Sequence, residues 1–157
     1  MKIILLCVGK TSQKELIQLI SVYEKRLENV VNYEKIELTE SAKNKTLPPQ
    51  QLIEMEAEQI LQKLKPADFV CLLDENGSLF TSKLFADFLQ KKMLASFKRL
   101  VFVVGGAYGF SEKIYARANE KISLSKMTFT HQMVRLFFTE QLYRSFSIIH
   151  NKPYHHE

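Results

Sequence analysis

Three short runs of this chain are apolar at every position: residues 3–8, 69–73 and 100–104. Unbroken apolar runs of five or six residues, each closed by a turn-forming residue, predict strands buried in the core of a sheet. The closing residues are Gly9, Asp74 and the Gly105, Gly106 pair. Between the runs, apolar side chains recur at helical spacing. Leu16, Ile17, Leu19, Ile20, Tyr23 and Leu27 predict a helix over 13–27. Val31, Tyr33, Ile36 and Leu38 alternate, which predicts a second strand over 30–38.

The polar segment 39–49, with Lys43, Lys45 and two prolines, reads as a mobile loop. Pro49 opens a second helix, with Glu54, Glu56 and Glu58 toward its start and Lys63 and Lys65 at its end, an order that suits the helix dipole. Residues 74–77, Asp-Glu-Asn-Gly, read as a turn, because Asn-Gly readily takes positive φ. Thr81 or Ser82 caps a third helix that runs to about Ala95. Ser111 caps a short helix with Glu112 in its first turn, residues 122–124 form a last strand, and residues 130–148 form a final helix. In that helix Met133, Val134, Phe137, Phe138, Leu142 and Phe146 read mostly as core, and Arg135, Glu140, Gln141 and Arg144 as the polar set. The strict alternation of strand and helix predicts one three-layer α/β/α domain spanning 1–157, with a mostly parallel sheet.

Cys7 and Cys71 both fall in apolar runs, which predicts free, buried thiols in a reducing compartment rather than a disulfide. No Cys/His cluster has metal-ligand spacing, so no metal is expected. No run approaches the eighteen or so apolar residues that span a bilayer, and the apolar N-terminal run is too short for a signal sequence. The expectation is a soluble, cytoplasmic protein with no membrane partner. The net charge of +5 permits a phosphate-rich partner without demanding one.

The sequence places most of its chemistry late. The glycines at 105, 106 and 109 follow a strand, yet their spacing fails the G-x-G-x-x-G dinucleotide fingerprint, which makes a nicotinamide enzyme a poor reading. A tight strand-to-helix turn explains them equally well. Asp74 is a turn former or a polar group at the sheet's carboxyl edge. Thr130 is a helix cap or a hydroxyl donor, and His131 in the first helical turn reads as structural. Arg144 suits a solvated face or a phosphate. The tail from Tyr154 to Glu157 supplies an aromatic ring for stacking and two imidazoles for proton transfer.

Taken in order, Gly105-Gly-Ala-Tyr-Gly109, Ser123-Leu-Ser-Lys-Met-Thr-Phe-Thr-His131, Glu140-Gln-Leu-Tyr-Arg144 and Tyr154-His-His resemble the RlmH (YbeA) family of SPOUT methyltransferases. The start of the chain and residues 73–77 fit as well, so the resemblance covers essentially the whole length. It implies a deep trefoil knot at the C-terminal end and a homodimer with the active site at the subunit interface. It implies methyl transfer from S-adenosylmethionine to N3 of a pseudouridine in helix 69 of 23S rRNA, on assembled ribosomes. Leu73, Gly105 and the run Leu124, Ser125, Lys126, Met127, Thr128 and Phe129 match cofactor-binding positions. Arg144, Tyr154 and His155, with His156, match the positions that meet RNA and carry the chemistry.

The chain departs from the family where Thr130 replaces a frequent proline and where His156 replaces a frequent basic residue. Lys43, Lys45, Lys91, Lys92, Lys98 and Arg99 are candidate RNA contacts. Another SPOUT-type RNA methyltransferase, or a non-enzymatic RNA-binding protein of the same fold, stays open at this point.

Overall fold

The computed structural model describes residues 1–39 and 47–154. Lys43, Lys45, His155, His156 and Glu157 lie outside them. The elements run β1 (Lys2–Val8), α1 (Lys14–Glu28), β2 (Asn32–Leu38), α2 (Pro49–Lys63), β3 (Phe69–Leu79), α3 (Ser82–Leu94), β4 (Arg99–Val104), α4 (Glu112–Arg117), β5 (Glu120–Ser123) and α5 (His131–Ile149). The strands form one sheet in the order β2-β1-β4-β3-β5, and every neighbouring pair is parallel.

The continuous apolar runs work as buried strands because successive side chains point to opposite faces and both faces are covered. Ile3, Leu5 and Cys7 of β1 join one core with Leu27 of α1, Phe85 and Leu89 of α3, and Phe138, Leu142 and Phe146 of α5. Ile4, Leu6 and Val8 join the other with Ala57 and Ile60 of α2 and Ile114 of α4. Two helical layers, of three and two helices, thus sandwich the sheet. Cys7 and Cys71 are free and buried, and burial pushes the Cys7 thiol up to about 12. Among the described residues, no helix is long and apolar enough to cross a membrane.

Several expectations change on contact with the fold. Residues 74–77 do not end a strand. β3 continues to Leu79, and both Leu73 and Ser78 pair with Ile122, so the intervening residues bulge out of the ladder. Gly77 has no positive φ; instead a Cβ there would stand 2.5 Å from the backbone carbonyl carbon of Ile122. Close approach of β5, not φ freedom, requires the glycine.

The last strand is Glu120–Ser123, so Leu124 lies beyond it. In α2 no acidic residue reaches the first turn, which leaves the dipole argument to Lys63 at the other end. Thr81 caps α3 by accepting from the Leu84 N–H, but the Ser111 hydroxyl makes no cap bond.

In α5 the polar set is redistributed. Arg135 is fully buried and Phe137 is exposed. Arg135 shares the inward stripe of Phe138, Thr139, Leu142 and Phe146. Its Nη2 donates to the Val8 carbonyl at 2.6 Å and its Nη1 to Thr11 Oγ1 at 2.9 Å, with Glu37 Oε1 3.4 Å away. Lys92 and Arg99 are also committed to structure. Lys92 pairs with Glu120 at 3.0 Å and lies 4.0 Å from the centre of the Phe69 ring, and Arg99 pairs with the buried Asp68 at 3.2 Å. Lys91 and Lys98 remain exposed.

Candidate functional site

In open α/β sheets ligands sit beyond the carboxyl ends of the strands, where connections diverge. Here β4 and β5 each run into a loop at that edge, β3 bulges out of the ladder there at residues 74–77, and the three segments surround a cleft of about 710 Å³. That volume suits a nucleoside-sized ligand. Leu73 lines it from β3, where the bulge begins, and Gly105 and Gly106 line it from just beyond β4. Leu124, Ser125, Met127, Thr128 and Phe129 line it from the segment after β5, and His131 and Val134 from the first turn of α5. Seven of the eight residues expected to bind cofactor therefore share one cleft. Lys126 is exposed and is not among its lining residues.

Each loop is held by its own hydrogen bonds. Asp74 Oδ1 accepts the Asn76 N–H at 2.8 Å, which is an Asx turn, and Asp74 Oδ2 accepts the Tyr115 hydroxyl at 2.6 Å. Burial and the Asp74 carboxylate push the Tyr115 phenol above its ordinary range, so it stays a donor. After β5, Ser123 Oγ donates to the Ser125 carbonyl at 2.7 Å, and Ser125 Oγ accepts the Met127 N–H at 2.9 Å. Thr128 Oγ1 lies 3.2 Å from Glu75 Oε2 and links the first loop to the third. Thr130 caps α5 by accepting the Met133 N–H at 3.3 Å, the plainer of its two sequence readings.

The glycine loop is backbone-rich by necessity. Gly109 has φ +79°, and a Cβ on Gly105 would crowd the Gly109 carbonyl and the Phe110 ring at 3.1 Å. The loop therefore presents main-chain groups to the cleft and leaves room beside them, which fits a bent nucleoside ligand. Asp74 lines the cleft, as the second of its two sequence readings has it, and Tyr115 and Glu75 are participants that sequence reasoning left out. Their signal was positional, since the two acids directly follow an apolar strand run.

Arg144 and Tyr154 are not in this cleft. They form a second cluster with Tyr23 and Arg26 of α1 and with Glu140 and Tyr143 of α5. Arg144 Nη2 and Nε donate to Glu140 Oε1 at 2.6 and 3.0 Å, and the guanidinium lies 4.9 Å from the centre of the Tyr154 ring. Tyr154 Oη is 3.3 Å from Glu140 Oε1, and its ring packs edge-on to Tyr143 at 4.8 Å. Arg26 lies over the Tyr23, Tyr143 and Tyr154 rings. Hydrogen bonding to Glu140 holds the Arg144 guanidinium above its ordinary range. Burial, then its neighbours Tyr23 and Glu140, push the Tyr154 phenol up. Arg144 lies thirteen positions beyond His131 in α5, about 20 Å along the helix axis. Arg144 and Tyr154 thus stand apart from the cleft that holds most of the cofactor candidates. Among the described residues, no group of His, Cys, Asp or Glu is arranged to hold a metal.

The family described as "Predicted SPOUT methyltransferase" matches residues 1–155. The chain belongs to that family. It is 54% identical to the ribosomal RNA large subunit methyltransferase H of Christiangramia forsetii, over 99% of both chains. It is 52% identical to the protein of the same name from Parabacteroides distasonis, over 100% of both chains. Among solved structures it is similar to the SpoU methyltransferase AviRb from Streptomyces viridochromogenes in complex with the cofactor AdoMet. That likeness has a TM-score of 0.48 and 11% identity, and covers 96% of this chain and 59% of that one.

Proposed function

We propose that this protein transfers a methyl group from S-adenosylmethionine to N3 of a pseudouridine in helix 69 of 23S rRNA, on assembled ribosomes in the cytoplasm. The observation that carries this reading is the cleft formed at one edge of the sheet by the β3 bulge and the segments after β4 and β5. The full-length similarity to large-subunit rRNA methyltransferases supplies the substrate class. In this reading the whole chain is a single catalytic domain, and its C-terminal segments form the family's deep trefoil knot.

Leu73, Gly105 and the 124–129 segment hold the donor, with Lys126 at the exposed rim. When bound, S-adenosylmethionine supplies an already activated methyl group, so alignment with the acceptor is the protein's main task. The N3 position carries a proton that must leave. Tyr154, whose phenol is pushed up, orients the acceptor as a hydrogen-bond donor, and His155 takes the proton. Arg144 binds a phosphate or a uracil carbonyl by its planar fork, exchanging its hold on Glu140 for the RNA.

The separation along α5 favours a homodimer, in which a second copy brings its Arg144 and tail to the cleft of the first. Exposed Leu19 and Val22 share an α1 face with Arg26, and exposed Phe129 and Phe137 pack together beside the cleft, as expected of surfaces that a second copy covers. The test is labelled methyl transfer from S-adenosylmethionine to ribosomes, with the modified nucleoside identified by mass spectrometry. N3-methylpseudouridine in the large subunit supports the proposal. Donor binding without transfer to any ribosomal RNA overturns it.

A further inference from the structure

The middle wall of the cleft is set from behind by a buried carboxylate. Glu56 lies on α2, on the outer side of the glycine loop, and is 5% exposed. A Cβ on Gly106 would stand 2.5 and 2.6 Å from the two Glu56 carboxylate oxygens and 2.9 Å from Cδ. The neighbouring glycines have other reasons to be glycine. A Cβ on Gly105 meets its own loop, and one on Gly109 meets nothing within 4 Å. Gly106 is therefore the place where another element presses on the loop.

That element is anchored on both sides of the contact. One face of α2 buries Ala57 and Ile60 in the core under the sheet. Glu54, half a turn from Glu56, pairs with Lys113 of α4 at 2.8 Å, and α4 is the helix into which the glycine loop leads. A carboxylate is costly to bury, and an apolar side chain of similar size would fill the space at less cost. Its position directly behind a cleft-lining backbone gives it a role beyond filling.

We infer that Glu56 is a positioning residue for donor binding: its buried carboxylate fixes the backbone at Gly106 and so shapes the wall that the methyl donor meets. It acts through the glycine loop and not on the reacting atoms. The inference rests on the donor-binding reading above.

A double-mutant cycle tests it, with calorimetric titration of S-adenosylmethionine into the full-length protein and melting temperatures to verify folding. Gly106→Ala should weaken donor binding about tenfold, because a small displacement of a preorganised wall is costly. In a Glu56→Ala background the same Gly106→Ala change should cost less than about threefold, since the side chain it strikes is gone. The near-isosteric Glu56→Gln, which removes charge but little volume, should raise the donor KM several-fold and leave kcat at saturating donor unchanged.

Additive effects of Gly106→Ala and Glu56→Ala overturn the inference. So does a Glu56→Gln variant that loses kcat at unchanged donor KM. Absence of donor binding by the unaltered protein overturns the methyl-donor reading and this inference with it, whereas donor binding with additive variants overturns this inference alone.

Discussion

Arg135 Nη2 donates to the Val8 carbonyl oxygen at 2.6 Å, a bond from the second turn of the last helix to the last residue of the first strand. The same guanidinium reaches Thr11, whose N–H and hydroxyl both bond to Glu37 Oε1 at 3.1 and 2.6 Å. One side chain thus joins α5, the β1–α1 connection and the end of β2. Arg135 lies one turn beyond His131, which lines the cleft, so the clamp ties the start of α5 to the end of β1.

Removing Arg135 leaves a strand-end carbonyl and part of a carboxylate without their donor inside the protein. Arg135→Ala should lower unfolding stability by about 3 kcal/mol, in the range for breaking a buried charged pair. Arg135→Lys should recover only part of this, because an ammonium cannot reproduce the forked geometry. Denaturant unfolding of the two variants checks both statements. A loss below about 1 kcal/mol for the alanine variant would mean that the clamp contributes little.

The clamp also carries a pH dependence. Burial raises the Glu37 carboxyl, but the two Thr11 bonds outweigh it, with Lys35 and Arg135 adding to them, and the net shift is downward. A group whose folded value is depressed binds fewer protons in the native state than in the unfolded chain. Its contribution is present above the ordinary value of about 4.5 and is lost as pH falls through the depressed folded value. Stability should therefore decline in acid more steeply for the unaltered protein than for Glu37→Gln. Unfolding curves at a series of pH values from neutral to about 3 read the difference. Parallel curves would remove Glu37 from the acid response.

Gly77 offers a third test. Its missing Cβ would stand 2.5–2.7 Å from backbone atoms of Lys121 and Ile122. Backbone in a ladder cannot swing aside as a side chain can. Gly77→Ala should cost about 1–3 kcal/mol, the range for overpacking, and should weaken donor binding because β5 leads directly into the 124–129 segment. Melting temperature and donor titration are the readouts. An alanine variant with unchanged stability would show that β5 is free to shift.

The same glycine marks where sequence reasoning stops. Asn76-Gly77 carries a turn signature, and local rules read it as a turn with positive φ. What decides its conformation is β5, more than 40 residues later, which no local rule sees. Most of the layering was legible, because unbroken apolar runs and helical spacing report burial directly. Arg135 was half legible. Its spacing to Phe138, Thr139, Leu142 and Phe146 lies on the inward stripe, yet its charge assigned it to the surface. For the site, the cofactor candidates came from the family resemblance residue by residue, and seven of them line one cleft because β4, β3 and β5 lie side by side in the sheet. The distance from that edge to Arg144 was legible as well, since the helix expected over 130–148 carries Arg144 about 20 Å along its axis from His131, but the partners that hold Arg144, Glu140 and the Tyr154 ring, were not.

That distance supplies the last prediction. Arg144 is held by Glu140 and faced by the Tyr154 ring, toward the other end of α5 from the turn that lines the cleft. If its role is to bind RNA, Arg144→Ala should lower methyl transfer to ribosomes on the order of a hundredfold, while the affinity for S-adenosylmethionine changes less than about threefold. Tyr154→Phe keeps the ring against Tyr143 and Arg144 and removes only the hydroxyl, so it should cost less than Tyr154→Ala. Mixing catalytically silent Arg144→Ala subunits with subunits disabled at the cleft by Gly105→Val should restore activity to mixed dimers, because one intact cleft then meets one intact tail. Transfer assays on the mixed and separate preparations decide the matter. Activity no greater in the mixture than in either variant alone would place both sets of residues in the service of a single chain.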